Sequence, residues 1–391
     1  MGVVKILVIG AGPVGATFAL LAAKSGLDVT MLEAREGPSR ESRTLALSHG
    51  SQQVLDRAGA WTEALHATEI HTIHTSQKGG FGRTEISRED GGVPALGYVL
   101  TYADLQTVLD EQLLNANISV ERGATVSAIT EAGDGANVTY SRHDTDFGTG
   151  ARTEYCTAAD VVVMADGGAN LGKVPAIVIS EKDYGQSALL GHINTDTVHQ
   201  HRAFERFTGD GPAALLPKHG EREFSMVWVS KPAHIEQLKM LDEARFCAAF
   251  QEHFGYRAGK FLSVSQRRSY PLKLRTVSSP VAGHIAVIGN AAQSLHPVAG
   301  QGFNLGLRDA MALVKSLAKT NENALTKLTD YAQSRARDVE RSVGFTDFLV
   351  SAFSNDHTAT RIPRGFGLAA VDMLPFARRA LAKRMLFGAQ R

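Results

Sequence analysis

Lys5-Ile6-Leu7-Val8-Ile9-Gly10-Ala11-Gly12-Pro13-Val14-Gly15 is the stretch that decides the fold. An apolar β-type run ends on a glycine turn, and residues 13–25 continue with a helical pattern. Residues 28–32 read as a second strand that ends at Glu33, which makes the opening of a βαβ unit. The residue types fit a dinucleotide turn. Glycine allows a tight bend and lets the backbone approach a pyrophosphate. The start of the helix offers free N–H groups and about half a positive charge. Glu33 can accept both hydroxyls of an adenosine ribose, and an acid at that place argues against a 2′-phosphate. A purely structural glycine turn is the competing reading. Strand, helix and acid together weigh against it and point to bound NAD or FAD.

The whole chain sets limits around this motif. Its 391 residues allow about two domains, and 43% apolar residues suffice for a large core. With 41 basic and 40 acidic residues, no global field draws it to nucleic acid. Cys156 and Cys247 show no CxxC spacing and no histidine cluster, so neither a metal site nor a disulfide framework is expected. A reducing cytosol fits that cysteine usage. Residues 6–23 carry no charge and nearly reach the length of a membrane span. Three glycines and Pro13 interrupt them, and only Lys5 lies upstream, so neither a signal peptide nor an anchor is expected. Gly2 is followed by Ile6 where myristoylation wants Ser or Thr.

Further along, residues 52–58 and 103–114 read as helices, the second from Leu105, Val108, Leu109 and Leu113. Residues 118–120, 124–130, 137–141 and 161–164 read as strands, the last running into Asp166-Gly167. Residues 185–271 change character, with strand-like pieces at 187–193, 203–207 and 224–229. Residues 284–289 return to a buried strand, which feeds a glycine-rich loop and a helix over about 302–318. Nucleotide-type elements thus recur near residues 5, 160 and 285. The expected fold class is α/β. A Rossmann-like domain (1–70, 98–178 and 280–340) is interleaved with a β-sheet domain (71–97 and 179–279), and a basic helical segment (341–391) follows. Between Arg361 and Arg391 there are seven basic residues and one acid, Asp372. Leucines, Met373 and Phe376 alternate with Arg378, Arg379, Lys383 and Arg384. Such a helix can lie on anionic lipid or a partner, or pack on the domain with its charges solvated.

A simple NAD dehydrogenase needs no second glycine-rich strand–loop–helix. This chain has one, Gly289-Asn290-Ala291-Ala292-Gln293-Ser294-Leu295-His296-Pro297-Val298-Ala299-Gly300-Gln301-Gly302-Phe303-Asn304-Leu305-Gly306-Leu307-Arg308-Asp309. It resembles the flavin-binding motif of the aromatic hydroxylases with the para-hydroxybenzoate hydroxylase fold. Within them it is most similar to the ubiquinone-biosynthesis branch, the 2-polyprenyl-6-methoxyphenol hydroxylases. The resemblance extends to Arg43-Thr44-Leu45-Ala46-Leu47-Ser48, Asp166-Gly167, Tyr184-Gly185-Gln186, residues 204–208, residues 211–217, and Tyr331, Arg335 and Asp338. Asn290 replaces the Asp of the wider superfamily, as in that branch. After Asp166-Gly167 the family often has Ser and Arg, where this chain has Asn170 and Lys173.

The resemblance implies FAD as cofactor, NADH or NADPH as reductant, O2 as oxidant and a prenylated phenol as substrate. Oxygen would reach the ring as OH⁺ from a C4a-hydroperoxide of the reduced flavin. It assigns Gly10, Gly12, Gly15 and Glu33 to the adenosine end, with Arg35 or Arg43 neutralising pyrophosphate charge. Asn290 can bond a ribitol hydroxyl, and the Asp166 segment is implicated in flavin and nicotinamide handling. Gly300, Gln301, Gly302, Phe303 and Asn304 begin a helix aimed at the flavin's pyrimidine edge, although Asn304 also suits a helix cap. His296 and Pro297 are placed to meet substrate, and a backbone-satisfied structural histidine is the competing reading for the first. No catalytic base is identified. The expected surroundings are the cytosol and the inner face of the membrane, with a complex of ubiquinone-biosynthesis proteins as partner. An isoprenoid reductase of the same fold and a non-catalytic, flavin-stabilised scaffold are the alternatives. A flavin halogenase would want a W-x-W-x-I-P segment, and Trp61 and Trp228 stand far apart.

Overall fold

Lys5–Ile9 lies inside a six-stranded sheet with the spatial order Val281–Ala282, Ile285–Val287, Val161–Met164, Lys5–Ile9, Asp28–Glu33, Ser119–Arg122. The computed structural model describes residues 4–39, 41–143, 152–296, 300–353 and 358–388. All pairings in this sheet are parallel except the edge hairpin of Val281–Ala282 with Ile285–Val287. Neighbouring strands come from distant parts of the chain. Both faces of the sheet are covered, which is why Val161–Met164 is apolar throughout and fully buried.

Successive residues of a strand point to opposite faces. Ile6 and Val8 therefore join a core built with the helices Pro13–Lys24, Tyr102–Asn115 and Gln301–Leu317, through Phe18, Leu109 and Leu313. Leu7 and Ile9 face a three-stranded antiparallel sheet of Thr125–Ala132, Gly135–His143 and Arg152–Ala159, which supplies Val126 and Val138.

The second large sheet has eight strands in the order Gln293–Ser294, Phe261–Val277, Ile179–Thr195, Glu223–Ser230, Ala213–Pro217, Arg202–Phe207, Thr72–Gln77, Arg83–Ser87. Along Glu223–Ser230, Phe224, Met226 and Trp228 pack against helices on one face, and Val227 and Val229 point to the other. Those helices, Pro232–Met240 and Glu243–Phe254, interrupt a region whose strand-like pieces hide them from a sequence reading. Their signals are present: Pro232 opens the first helix, and the Asp242 side chain caps the Arg245 N–H of the second. Phe246, Phe250 and Phe254 then recur every fourth residue.

Three helices close the chain, Ala324–Phe353, Thr358–Met373 and Pro375–Phe387. The last is seated on the protein along one face. Ala382 and Leu386 are buried, and the Arg378 Nε donates to Asp90 Oδ1 at 3.2 Å. A Cβ at Gly50 would stand 2.7 Å from the Leu386 carbonyl oxygen, so the absence of a side chain there lets the helix approach. Of the two arrangements open to this segment, packing on the body therefore holds for one face. No helix among the described residues is long and apolar enough to cross a membrane.

Candidate active site

The two glycine-rich turns meet. Val14, in the first turn of Pro13–Lys24, packs on Gly289 and Gly306, whose added Cβ atoms would lie 3.1 and 3.0 Å from its methyl groups. Gly10 takes φ +101°, and a Cβ there would sit 2.8 Å from the Ala165 backbone. At Gly15 a Cβ would fall 2.1 Å from the Gly10 carbonyl oxygen. These two glycines are filled around by the protein itself. Gly12 is different: the nearest atom to its Cβ position is the Tyr102 hydroxyl at 3.5 Å. Nothing lies within 4 Å of the same point on Gly302. Open space thus fronts both helix starts, which suits a ligand lying against backbone N–H groups. Neither start is capped by a side chain.

Around Gly12 the charged residues converge. Glu33 accepts from the Ala11 N–H at 2.6 Å and the Arg35 N–H at 2.8 Å. The Arg35 guanidinium lies 3.8 Å from Asp110, which also pairs with Arg122 at 3.2 Å. Arg43 stacks over the Tyr102 ring at 4.6 Å and pairs with Glu41 at 3.0 Å. Gln106 is buried and donates to the Ala11 carbonyl and to Asp110, which ties the turn to the helix Tyr102–Asn115. Tyr102, Gln106 and Asp110 escape a motif search because they reach the turn only through folding.

The central turn is self-braced. Asp166 accepts from the Gly168 and Asn170 N–H groups, both at 2.9 Å, and from the Asn170 amide at 2.6 Å. Lys173 bonds the Asn170 side chain and donates to the Val126 carbonyl at 2.6 Å. Asn170 and Lys173, where the chain departs from its look-alikes, therefore form one hydrogen-bonded unit with Asp166. Arg275 bridges the carbonyls of Gly167 and Asn290, the latter at 2.8 Å. The Asn290 side chain itself stays exposed.

At the second turn, Gly300 has φ +58°, the left-handed region that glycine adopts without strain. Asn304 acts as a bracket. Its Oδ1 accepts from the Ser48 N–H at 2.8 Å, and its amide donates to the carbonyls of Ala46 and Gly300 at 3.1 and 2.6 Å. The side chain is committed to backbone and fixes the strand Thr44–Ser48 against the helix start. Phe303 packs on the first core, and Gln301 is buried at the head of the helix.

Behind the turn lies an ion network whose Arg335, Asp309 and Asp338 are buried and whose pairing a motif reading does not reveal. Arg335 Nε donates to Asp309 at 2.7 Å, and its Nη1 donates to Asp338 at 2.6 Å. Arg308 donates to Asp338 at 2.9 Å. Asp309 Oδ2 accepts from the Gly289 N–H at 3.1 Å and from Gln293 at 2.5 Å. Two cations balance two anions, and the loop at Gly289 is held from below.

His296 is buried and packs edge to face on Tyr184 with ring centroids 5.2 Å apart. Burial pushes its pKa down to about 4, so the ring is neutral at physiological pH. The Tyr184 hydroxyl donates to Asp347 at 2.5 Å, and Lys182 pairs with the same carboxylate at 2.9 Å. Burial, and then the bond to Asp347, push the tyrosine pKa well up. His296 is absent from the wall of the main cavity. Pro297 lies outside the described residues.

That cavity begins at Gly300, Gln301 and Asn304 and runs between the eight-stranded sheet and a small antiparallel sheet of Thr44–Ser48, Gly97–Thr101 and Thr68–Ile70. It encloses about 990 Å³, counting its open mouth. Ala203, Ala214, Leu216, Val227 and Val229 of the large sheet form one wall, with Ile73 and Ile86. Residues 46–48 and Gly97 face them. Ala382, Met385 and Leu386 of the last helix close the far side. The lining is almost wholly aliphatic, with Glu205 as its charged member. No local sequence pattern marks these residues, because the lining comes from ten separate elements.

A two-turn dinucleotide corner opening onto an apolar chamber defines a class of flavin-nucleotide-binding proteins. The family model of the FAD binding domain matches residues 3–346, and the chain belongs to that family. Ubiquinone hydroxylase UbiL of Rhodospirillum rubrum is 30% identical, with 95% of this chain and 87% of the relative covered. The 3-demethoxyubiquinol 3-hydroxylase of Escherichia coli is 28% identical over 97% of each chain. Among solved structures, p-nitrophenol 4-monooxygenase PnpA from Pseudomonas putida DLL-E4 superposes over the full length of both chains with a TM-score of 0.80. At 19% identity that likeness is one of fold.

Proposed function

We propose that this chain is an FAD-dependent monooxygenase that hydroxylates the ring of a prenylated phenol in ubiquinone biosynthesis. One oxygen atom of O2 enters the ring and the other leaves as water, with NADH or NADPH supplying the two electrons. The observation that carries the reading is the aliphatic chamber that starts at the helix head of the second glycine turn. A polar substrate would leave such walls without partners, whereas an isoprenoid tail buries apolar surface there. The two full-length relatives are named for ubiquinone chemistry, which supports the same class of substrate.

Bound FAD supplies hydride acceptance and oxygen activation. The residues have the following roles in this reading. Gly12 and the N–H groups that open Pro13–Lys24 receive the pyrophosphate, with Gly10 and Gly15 shaping the turn. Glu33 exchanges its bond to the Ala11 N–H for the ribose hydroxyls. Arg35 and Arg43 lie beside that corner and offset phosphate charge. Asn290 reaches a ribitol hydroxyl, and Asp166 holds the adjoining turn. Gly300 and Gln301 set the helix head, and the Gly302 and Phe303 N–H groups stabilise negative charge at the flavin's pyrimidine edge. Asn304 keeps that head in place. His296, buried against Tyr184, orders the same loop.

Residues 1–70, 98–178 and 280–340 form the FAD-binding domain in this account, residues 71–97 and 179–279 the substrate domain, and residues 341–391 the basic helical segment. The reading extends to a peripheral place on the inner face of the membrane, where the substrate's tail resides, beside other enzymes of the route. The chamber also suits an isoprenoid reductase. Turnover under ¹⁸O2 separates the two: a monooxygenase returns product carrying one labelled oxygen, and a reductase returns product carrying none.

A further inference from the structure

The outer surface of the last two helices has no part in the chemistry above. Phe366, Met373 and Phe376 are 63%, 79% and 71% exposed. Phe81 meets Phe366 edge to face at 4.9 Å, and it shares a shallow hollow with Met373 and Arg83. Along Pro375–Phe387, Phe376, Arg379, Lys383 and Phe387 follow at helical spacing and form one exposed stripe. The opposite stripe turns inward: Arg378 pairs with Asp90, while Ala382, Met385 and Leu386 wall the chamber. A single layer of helix therefore separates the chamber from this surface.

The charges point one way. Residues 373–391 contain no acid. Asp372, in the same hollow beside Arg83 and Arg257, accepts from the Glu85 N–H at 3.0 Å. The side chains of Arg379 and Lys383 form no hydrogen bond or ion pair among the described residues. Large apolar side chains set among free cations match the headgroup boundary of an anionic bilayer, where rings enter the acyl edge and cations meet phosphates. A second copy docked by the same face would bring Arg379 and Lys383 against their own equivalents, a like-charge contact that costs binding.

We propose that this face seats on an anionic lipid surface, and that Pro375–Phe387 is the partition past which an isoprenoid tail passes from lipid into the chamber. The tail's identity rests on the functional reading above; the lipid contact does not.

The test uses the full-length, flavin-loaded protein and phosphatidylcholine vesicles with and without phosphatidylglycerol. Wild type is expected to sediment with the anionic vesicles in a salt-sensitive way. Arg379→Glu with Lys383→Glu should weaken that binding by about tenfold or more. Phe376→Ser with Met373→Ser should weaken it on both vesicle types. Each double variant should still turn over a water-soluble short-chain phenol, and should lose turnover of a long-chain phenol carried in the vesicles. Wild type that stays in the supernatant, or variants that sediment as wild type does, would overturn the lipid contact. Unchanged turnover of the vesicle-borne substrate would overturn the entry route. A doubled mass by light scattering that the charge reversal abolishes would assign the face to a second copy instead. If binding responds as expected while wild type oxidises no phenol, soluble or embedded, the lipid contact stands and the hydroxylase reading fails.

Discussion

The nucleotide corner and the apolar chamber share the strand Thr44–Ser48 and the head of the helix Gln301–Leu317, yet they are built by different means. The corner is made of backbone. Within each of its two turns the glycines and free N–H groups lie within a few residues of one another in sequence, and longer-range bonds such as Glu33 to Ala11 brace them. The chamber is made of side chains that meet only when two sheets and the last helix come together. Backbone sites tolerate almost no change at particular glycines. Side-chain sites tolerate change of shape and answer with altered selectivity.

The largest expected effect lies in the corner. Gly15→Ala puts a methyl group 2.1 Å from a carbonyl oxygen and should abolish soluble, folded protein. Gly12→Val sharpens the distinction, because its first atom meets only the Tyr102 hydroxyl. That variant should keep its circular dichroism and most of its thermal stability while purifying colourless. A yellow Gly12→Val protein would remove Gly12 from the pyrophosphate site.

Next comes the ion network under the second turn. Arg335→Ala leaves Asp309 buried without a cation and Asp338 with Arg308 alone, at a cost of about 3–5 kcal/mol in chemical denaturation. A loss below about 1 kcal/mol would show that the network does not brace the Gly289 loop.

Stability should also fall with acid. Burial holds His296 at about 4 and His253 at about 3, below the unfolded value of 6.5. The unfolded chain therefore binds more protons as pH drops beneath 6.5, and the stability these neutral rings contribute is lost progressively towards pH 4. For His296 alone the loss between pH 7 and pH 5 is about 2 kcal/mol. His296→Asn with His253→Phe should flatten that slope in thermal melts at graded pH. An unchanged slope would place the acid sensitivity elsewhere.

The smallest free-energy change is expected in the chamber. Ala214→Phe narrows the sheet-side wall and should raise KM for a long-tailed phenol by about tenfold, roughly 1.4 kcal/mol, with a short-tailed phenol unaffected. Equal effects on both substrates would mean that the tail does not occupy this space.

The contrast between the two regions also explains what the sequence reveals. Residues 5–15 and 289–309 announce strand, turn and helix locally, since glycine and helix-start chemistry act over a few residues. Elements such as Tyr102–Asn115 and Val161–Met164 follow from period and burial, and the structure places them within a residue or two of the sequence reading. The helix Glu243–Phe254 is missed because its phenylalanine spacing sits among β-prone neighbours. Gln106, the bonding role of Asp309 and the chamber wall are not legible for another reason. Their partners lie 95 residues away at Ala11, 20 residues away at Gly289, and on separate elements of the fold. The last helix carries both lessons, since its basic amphipathic pattern is legible while the chamber behind it is not.

The most direct test of the central claim is the absorption spectrum of the purified protein, followed after NADH or NADPH with and without a short-chain methoxyphenol in air. The account predicts flavin bands that bleach faster with the phenol and then return, alongside a product heavier by one oxygen atom. Flavin that stays oxidised with every nicotinamide and phenol, or protein that holds no flavin after reconstitution, would contradict it.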